Sequence, residues 1–232
     1  MLELRDIQQH YGSSHTLRNL SLSANLGEVT TILGRNGVGK TTLLRAIMGL
    51  VPLTSGSVIW EGKDISRLPP EARVAMGFGY VPQGREIFPR LTVEENLRMG
   101  MAKLSGKAAR TIPTELYEMF PVLFDMRSRR GGDLSGGQQQ QLAIARALAG
   151  NPRVLLLDEP TEGIQPNIIK LIGTVIAQIA SRGDMAVVLV EQFYDFAEKL
   201  ATRYAVLGRG EVVDSGLGSE MAAKNVKDRI SV

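Results

Sequence analysis

The sequence predicts an α/β fold: a mostly parallel sheet covered on both faces, a small antiparallel β layer at the N-terminus, and a helical sub-lobe inserted between strands. Three observations predict it. Short apolar runs at Val29 to Leu33, Val154 to Leu157 and Ala186 to Val190 lie far apart, and each leads through a turn or polar segment into helix-like sequence. Strands buried on both faces read as such runs, and their alternation with helices marks a parallel sheet. The early chain differs: Met1 to Ile7, Leu20 to Ala24 and Ser57 to Trp60 read as half-buried strands broken by turns such as Glu61-Gly62. The middle, from about Val93 to Ala149, is helix-rich, with breakers at Pro113, Pro121 and Gly131-Gly132. A tail from Gly208 adds a strand-like turn and a short polar helix. The 232 residues suffice for one domain, 1–232, with the sub-lobe at about 88–149.

Composition narrows the chemistry. Cysteine is absent, which excludes disulfides, thiol catalysis and cysteine-ligated metal sites. The net charge of +3 gives no case for nucleic acid, and the basic cluster Arg127, Arg129, Arg130 reads as a solvated loop. The N-terminus lacks a signal-peptide pattern, and no apolar run approaches the ~20 residues that span a bilayer. The expectation is a soluble protein whose membrane association comes through a partner.

Gly34-Arg35-Asn36-Gly37-Val38-Gly39-Lys40-Thr41 matches the phosphate-binding loop pattern, between an apolar strand and a plausible helix starting at Thr42. Its glycines let successive N–H groups point inward at phosphate oxygens, and the helix start adds partial positive charge. Lys40 is suited to the β- and γ-phosphates and the Thr41 hydroxyl to Mg²⁺. Asp158 and Glu159 follow the Val154–Leu157 run, at the strand end where α/β sheets bind ligands. Such a pair is either a solvated turn or, paired with the loop, a Mg²⁺ ligand (Asp158) and a general base (Glu159). Leu134-Ser135-Gly136-Gly137-Gln138 precedes a second helix and reads either as an N-cap or as a second anion-binding helix end. One nucleotide has no need of two such ends from one chain, so a sandwich between two chains is the natural solution.

These motifs, in this order and across the whole chain, resemble the nucleotide-binding subunits of ATP-binding-cassette (ABC) transporters. The resemblance implies the ABC ATPase fold on a P-loop NTPase core, ATP and Mg²⁺ as cofactors, and coupling of hydrolysis to transport. It implies that Tyr11 stacks on adenine and that Gln83 reaches Mg²⁺ and reports to membrane subunits. Gly34 to Thr41 becomes the Walker A loop, with Thr42 beside it. Leu134 to Gln138 becomes the signature, with Ser135, Gly136, Gly137 and Gln138 at the nucleotide, while Asp158 and Glu159 become the Walker B acids. The implied partners are a second ABC ATPase subunit, two permeases and an extracytoplasmic solute-binding protein, with the chain at the inner membrane face. The segment Ile87, Phe88, Leu91 is either a groove for a permease helix or core of the sub-lobe.

Two departures stand out. Gln165 lies where the family has an aspartate, and Gln192 where it has a switch histidine. An amide can donate to a γ-phosphate but carries no charge. Glu191-Gln192 is typical of one ATPase of branched-chain amino acid importers. The stretches 84–96 and 161–166 look most like the urea importer ATPase, so urea is the expected solute, with branched-chain amino acids next. Three other readings compete. A soluble ATPase switch on DNA or ribosomes usually has a coiled-coil insertion or two cassettes, and neither is present. A GTP switch lacks its guanine-reading motif here. A non-hydrolysing regulatory subunit is suggested by Gln165 and Gln192.

Overall fold

The computed structural model describes residues 1–106 and 111–231; the part of the expected sub-lobe at 107–110 lies outside the described residues. Strands β1 (Leu2–Tyr11) and β2 (Ser14–Ala24) form a hairpin, and β3 (Val29–Leu33) leads into α1 (Lys40–Ile47). After β4 (Ser55–Trp60), β5 (Lys63–Asp64) and α2 (Pro70–Ala75) comes β6 (Phe78–Val81). Four helices follow: α3 (Val93–Gly100), α4 (Thr114–Met119), α5 (Pro121–Asp125) and α6 (Gly136–Ala149). Then come β7 (Val154–Asp158), α7 (Pro166–Ser181), β8 (Ala186–Glu191) and α8 (Tyr194–Leu200). The last elements are β9 (Arg203–Gly208), β10 (Glu211–Leu217) and α9 (Val226–Ser231).

Two sheets result. The antiparallel one has the order β2-β1-β4-β5, and the other runs β10-β9-β3-β8-β7-β6, parallel except for the β9–β10 pair. Alternation explains why β7 and β8 are apolar throughout. Leu155, Leu157, Val187 and Leu189 join the core under α6 and α7, whereas Val154, Leu156, Val188 and Val190 join the core with α1 and the antiparallel sheet. Both faces are buried, so neither tolerates a polar residue.

The first hairpin is longer than the sequence suggests. Register shifts between Leu4 and Ile7, Ile7 and Gln9, and Gln9 and His10 break the alternation that marks a strand. Strands β6 and β9 also escaped the apolar-run criterion, because Gly79 interrupts the first and Arg203 opens the second. The turns were legible. Glu61-Gly62 and Arg209-Gly210 both hold positive φ at the two central positions (49° and 78°, 50° and 86°), the geometry that matches the twist of a tight hairpin.

Among the helices between β6 and β7, α3 starts with a capping box. Thr92 Oγ1 accepts from the Glu95 N–H while the Glu95 carboxylate accepts from the Thr92 N–H. Helices α3 and α6 approach so closely that a Cβ on Gly100 would sit on the Arg146 carbonyl. No helix among the described residues is long and apolar enough to cross a membrane.

The strand order β3-β8-β7 brings three chain segments to one edge: the loop after Leu33, Glu191-Gln192 at the end of β8, and Asp158-Glu159 at the end of β7. That edge, at the carboxyl ends of parallel strands, is where the chemistry gathers.

Candidate functional site

The loop from Gly34 to Gly39 folds as the sequence requires. Gly37 and Gly39 hold φ of 80° and 107°, and Gly39 is the left-handed N-cap of α1. A Cβ on Gly34 would lie 2.6 Å from the Leu207 carbonyl oxygen, so β9 also demands glycine there. A cavity of about 310 Å³ opens beside the loop, lined by Asn36, Gly37, Gly39, Lys40, Thr41, Thr42, Gln83, Glu159 and Thr16. Thr16, on β2, carried no sequence signal. It is brought in because the first hairpin packs on the loop, placing its carbonyl oxygen 3.1 Å from where a Gly39 Cβ would stand.

The buried Lys40 ammonium donates to the carbonyls of Gly34 (2.7 Å) and Arg35 (2.9 Å) and pairs with Glu159 Oε1 at 3.0 Å. Glu159 Oε2 in turn accepts from Gln192 Nε2 at 3.0 Å, and the same amide donates to Asn36 Oδ1 at 2.6 Å. Four sequence-predicted residues, Asn36, Lys40, Glu159 and Gln192, therefore form one connected chain of polar contacts.

Thr41 Oγ1 donates to Asp158 Oδ1 (3.3 Å), and the Tyr80 hydroxyl donates to Asp158 Oδ2 (3.4 Å). Burial lifts the Asp158 carboxyl above its ordinary range, and the neighbouring Glu159 charge acts in the same direction, against the Thr41 hydrogen bond. Burial beside Asp158 likewise pushes the Tyr80 phenol up, which keeps it a donor. A hydroxyl and a buried carboxylate make an all-oxygen donor pair that suits a hard divalent cation. Gln83 lies on the cavity wall, with its amide donating to Glu162 Oε2 at 2.9 Å.

Other predicted residues sit at the periphery. Tyr11 ends β1 with 47% of its surface exposed and is not part of the cavity wall. The Arg35 side chain turns away and donates to the Ile230 carbonyl on α9. Val38 is partly buried and packs against the core that includes α1.

The signature segment lines a different cavity, of about 490 Å³, with Ser135, Gly136, Gly137, Gln138, Gly163 and Gln165 on its wall. The two cavities share no lining residue. Ser135 and Gln138 form a capping box at the start of α6. The glycines have packing reasons besides. A Cβ on Gly136 would come 3.0 Å from the Arg85 guanidinium, and one on Gly137 would come 3.1 Å from Ile168.

Glu191 is the residue whose role sequence reasoning missed. It is 2% exposed. One carboxylate oxygen accepts from the Thr161 N–H (3.2 Å) and hydroxyl (2.9 Å); the other accepts from the N–H groups of Gln192 (3.2 Å) and Phe193 (3.3 Å). Burial pushes its pKa up to about 7 against these hydrogen bonds, which pull it down. A charged residue closing an apolar strand was the available signal.

Comparison with known proteins now bears on this geometry. Residues 17–162 match the family model for the ABC transporter. The chain is 39% identical over 221 residues to the high-affinity branched-chain amino acid transport ATP-binding protein BraG of Pseudomonas aeruginosa, covering 95% of this chain and 94% of that one. It is 35% identical to the glutamine transport ATP-binding protein GlnQ of Escherichia coli, covering 93% and 91%. A solved dimeric ATP-binding cassette, in a post-hydrolysis state bound to ADP and Pi, superposes with a TM-score of 0.83 at 29% identity, covering 94% and 98%. The chain belongs to the ABC transporter family, and it is the ATP-binding, ATP-hydrolysing cassette of that family.

Proposed function

We propose that this ATPase powers an importer of branched-chain amino acids. It works in a pair with a second ATP-binding subunit, at the cytoplasmic face of two permeases served by an extracytoplasmic solute-binding protein. The supporting observation is the likeness to BraG along nearly the whole of both chains, joined to Glu191-Gln192 in place of a histidine. The urea expectation gains no such support: both relatives named above are amino acid transport proteins.

The two separate cavities support a composite site, in which one chain's loop and the partner's Ser135–Gly137 segment enclose one ATP. Lys40 then exchanges its carbonyl and Glu159 contacts for phosphate oxygens. Glu159, released from that pair, accepts a proton from the attacking water, and Gln192 holds it in place by its amide. Thr41, Asp158 and Gln83 are the residues that would hold Mg²⁺, which supplies charge neutralisation at the phosphates when bound. Tyr11 supplies an exposed ring for adenine.

Both readings of the Ile87–Leu91 segment find support. Ile87 packs against the core, whereas Phe88 is exposed and lines a cleft of about 390 Å³ with Val74, Met99, Lys103 and Arg146. That cleft is the proposed seat of a permease segment.

The test is affinity purification from membranes, followed by reconstitution of the co-purifying subunits in proteoliposomes. Two permeases and a second ATPase should appear, and leucine with its binding protein should stimulate ATP turnover. Stimulation by urea and not by leucine would overturn the solute assignment; recovery with ribosomes or DNA would overturn the importer. In the same assay, Gln192→Ala should lower turnover by about a hundredfold, the lower end of what loss of one site donor costs, while ATP affinity changes little. Unchanged turnover would remove Gln192 from the site's chemistry.

A further inference from the structure

One buried carboxylate lies between the two cavities of this chain. The Gln192 N–H binds one oxygen of Glu191, and the Gln192 side chain touches Glu159 and Asn36 in the phosphate-loop cavity. Thr161 binds the other oxygen by its N–H and its hydroxyl. Thr161 opens the segment that continues through Gly163 to Gln165, and those two residues form part of the signature cavity's wall. The Ile164 N–H donates to the Thr161 carbonyl (3.3 Å), which makes the segment a compact turn. A displacement of Thr161 is thereby carried along it.

We propose that Glu191 is a positioning residue that couples the two half-sites of one chain, holding the Gln192 contact on Glu159 and the Gly163–Gln165 wall of the signature cavity in a fixed relation. The coupling rests on the two-chain reading above. In such a pair, the phosphate-loop cavity serves one nucleotide and the signature cavity serves the other. The Glu191 clamp is then a side-chain connection from one nucleotide to the other within a single chain, running beside the Gln83–Glu162 hydrogen bond. Its geometry permits little slack. Each oxygen takes two donors, the group is walled off from water, and a buried donor left unpaired is costly. The two segments therefore move together or the clamp breaks.

An amide breaks it on one side only, because Glu191→Gln replaces one acceptor oxygen by a donor that must face donors. The experiment uses the full chain and reads three quantities: ATP affinity from binding of a fluorescent ATP analogue, the maximal turnover rate, and the dependence of rate on ATP concentration. Wild type should respond sigmoidally. Glu191→Gln should keep ATP affinity within about twofold, since no phosphate-loop donor is touched, and lose on the order of tenfold in turnover, within the usual span of coupling energies. Its response should become hyperbolic. Thr161→Val, which removes only the hydroxyl contact, should also flatten the response with a smaller loss of turnover, and Glu191→Asp should recover part of the sigmoidal shape.

Retained sigmoidal response and turnover in Glu191→Gln overturn the coupling role. Parallel losses of affinity, turnover and melting temperature also overturn it, because they mark a merely structural residue. A separate control addresses the two-chain reading. Glu159→Gln with ATP should run as a dimer in size-exclusion chromatography. A monomer there, with a hyperbolic wild type, sinks the composite site and the coupling with it. A dimer there with a hyperbolic wild type sinks the coupling alone.

Discussion

Glu159→Gln should abolish steady-state ATP turnover while the protein still binds ATP. The carboxylate sits at the end of β7, buried, with one oxygen on Lys40 and the other on Gln192. The amide keeps the shape and can still accept from Gln192, but it cannot take a proton. General-base contributions run to about 10²–10⁴ in rate, so phosphate release should fall by that factor. ATP affinity should hold or tighten, because the variant no longer competes as an anion for the Lys40 ammonium. Phosphate release under single-turnover conditions, beside equilibrium binding of ATP, separates the two effects. A turnover loss below tenfold would show that another group takes the proton.

The second large effect concerns stability, at a residue that no motif includes. Arg73, on α2, is 1% exposed, and its guanidinium is enclosed by carbonyl oxygens. It donates to Ala46 (2.8 Å), Ile47 (2.6 Å), Ser66 (2.8 Å) and Leu68 (3.0 Å). Ala46 and Ile47 are the last residues of α1, whose terminal carbonyls have no partner within the helix and carry its partial negative charge. Burial pulls the Arg73 pKa below the ordinary arginine value, with Asp64 opposing, and the four carbonyls make the buried charge tolerable. Arg73→Leu leaves the Ile47, Ser66 and Leu68 carbonyls without their donor, while Ala46 keeps the Gly49 N–H, and should cost about 3 kcal/mol of unfolding free energy. Denaturant titration checks it, and Arg73→Lys should recover a minor part, since an ammonium cannot span four acceptors. A loss under about 1 kcal/mol would mean that water replaces the guanidinium. Because α1 begins at Lys40, loosening its far end should also weaken ATP binding.

What was legible in the sequence and what was not follow from one distinction. Gly37, Gly39, Lys40 and Thr41 act through their own backbone and immediate neighbours, so eight consecutive residues declare the loop. Asp158 and Glu159 declare themselves because an apolar run aims them. Thr16, Arg73 and Glu191 act on partners 23, 26 or 27, and 30 residues away, namely Gly39, Ile47 and Ala46, and Thr161. Chain neighbours mark such contacts weakly at most, as a charge closing an apolar strand does for Glu191; the packing of distant segments creates them. The same holds for β1, whose register shifts hid its last four residues from a search for alternation. Gly136 and Gly137 show a further limit. Their pattern signals an anion-binding helix start, yet Arg85 and Ile168 independently crowd any side chain there.

The absence of a shared residue between the two cavities sets the genetics of any pair this chain enters. Two identical chains about a two-fold axis hold two equivalent sites, and every substitution strikes both. Beside a different ATPase, the two sites are hybrids of opposite parentage. A lesion at Gln192 then silences the site that holds this chain's loop, and a lesion at Ser135 silences the other. In a pair of like chains carrying one lesion each, one site takes both lesions and its twin stays whole, whereas both lesions on one chain spoil both sites once.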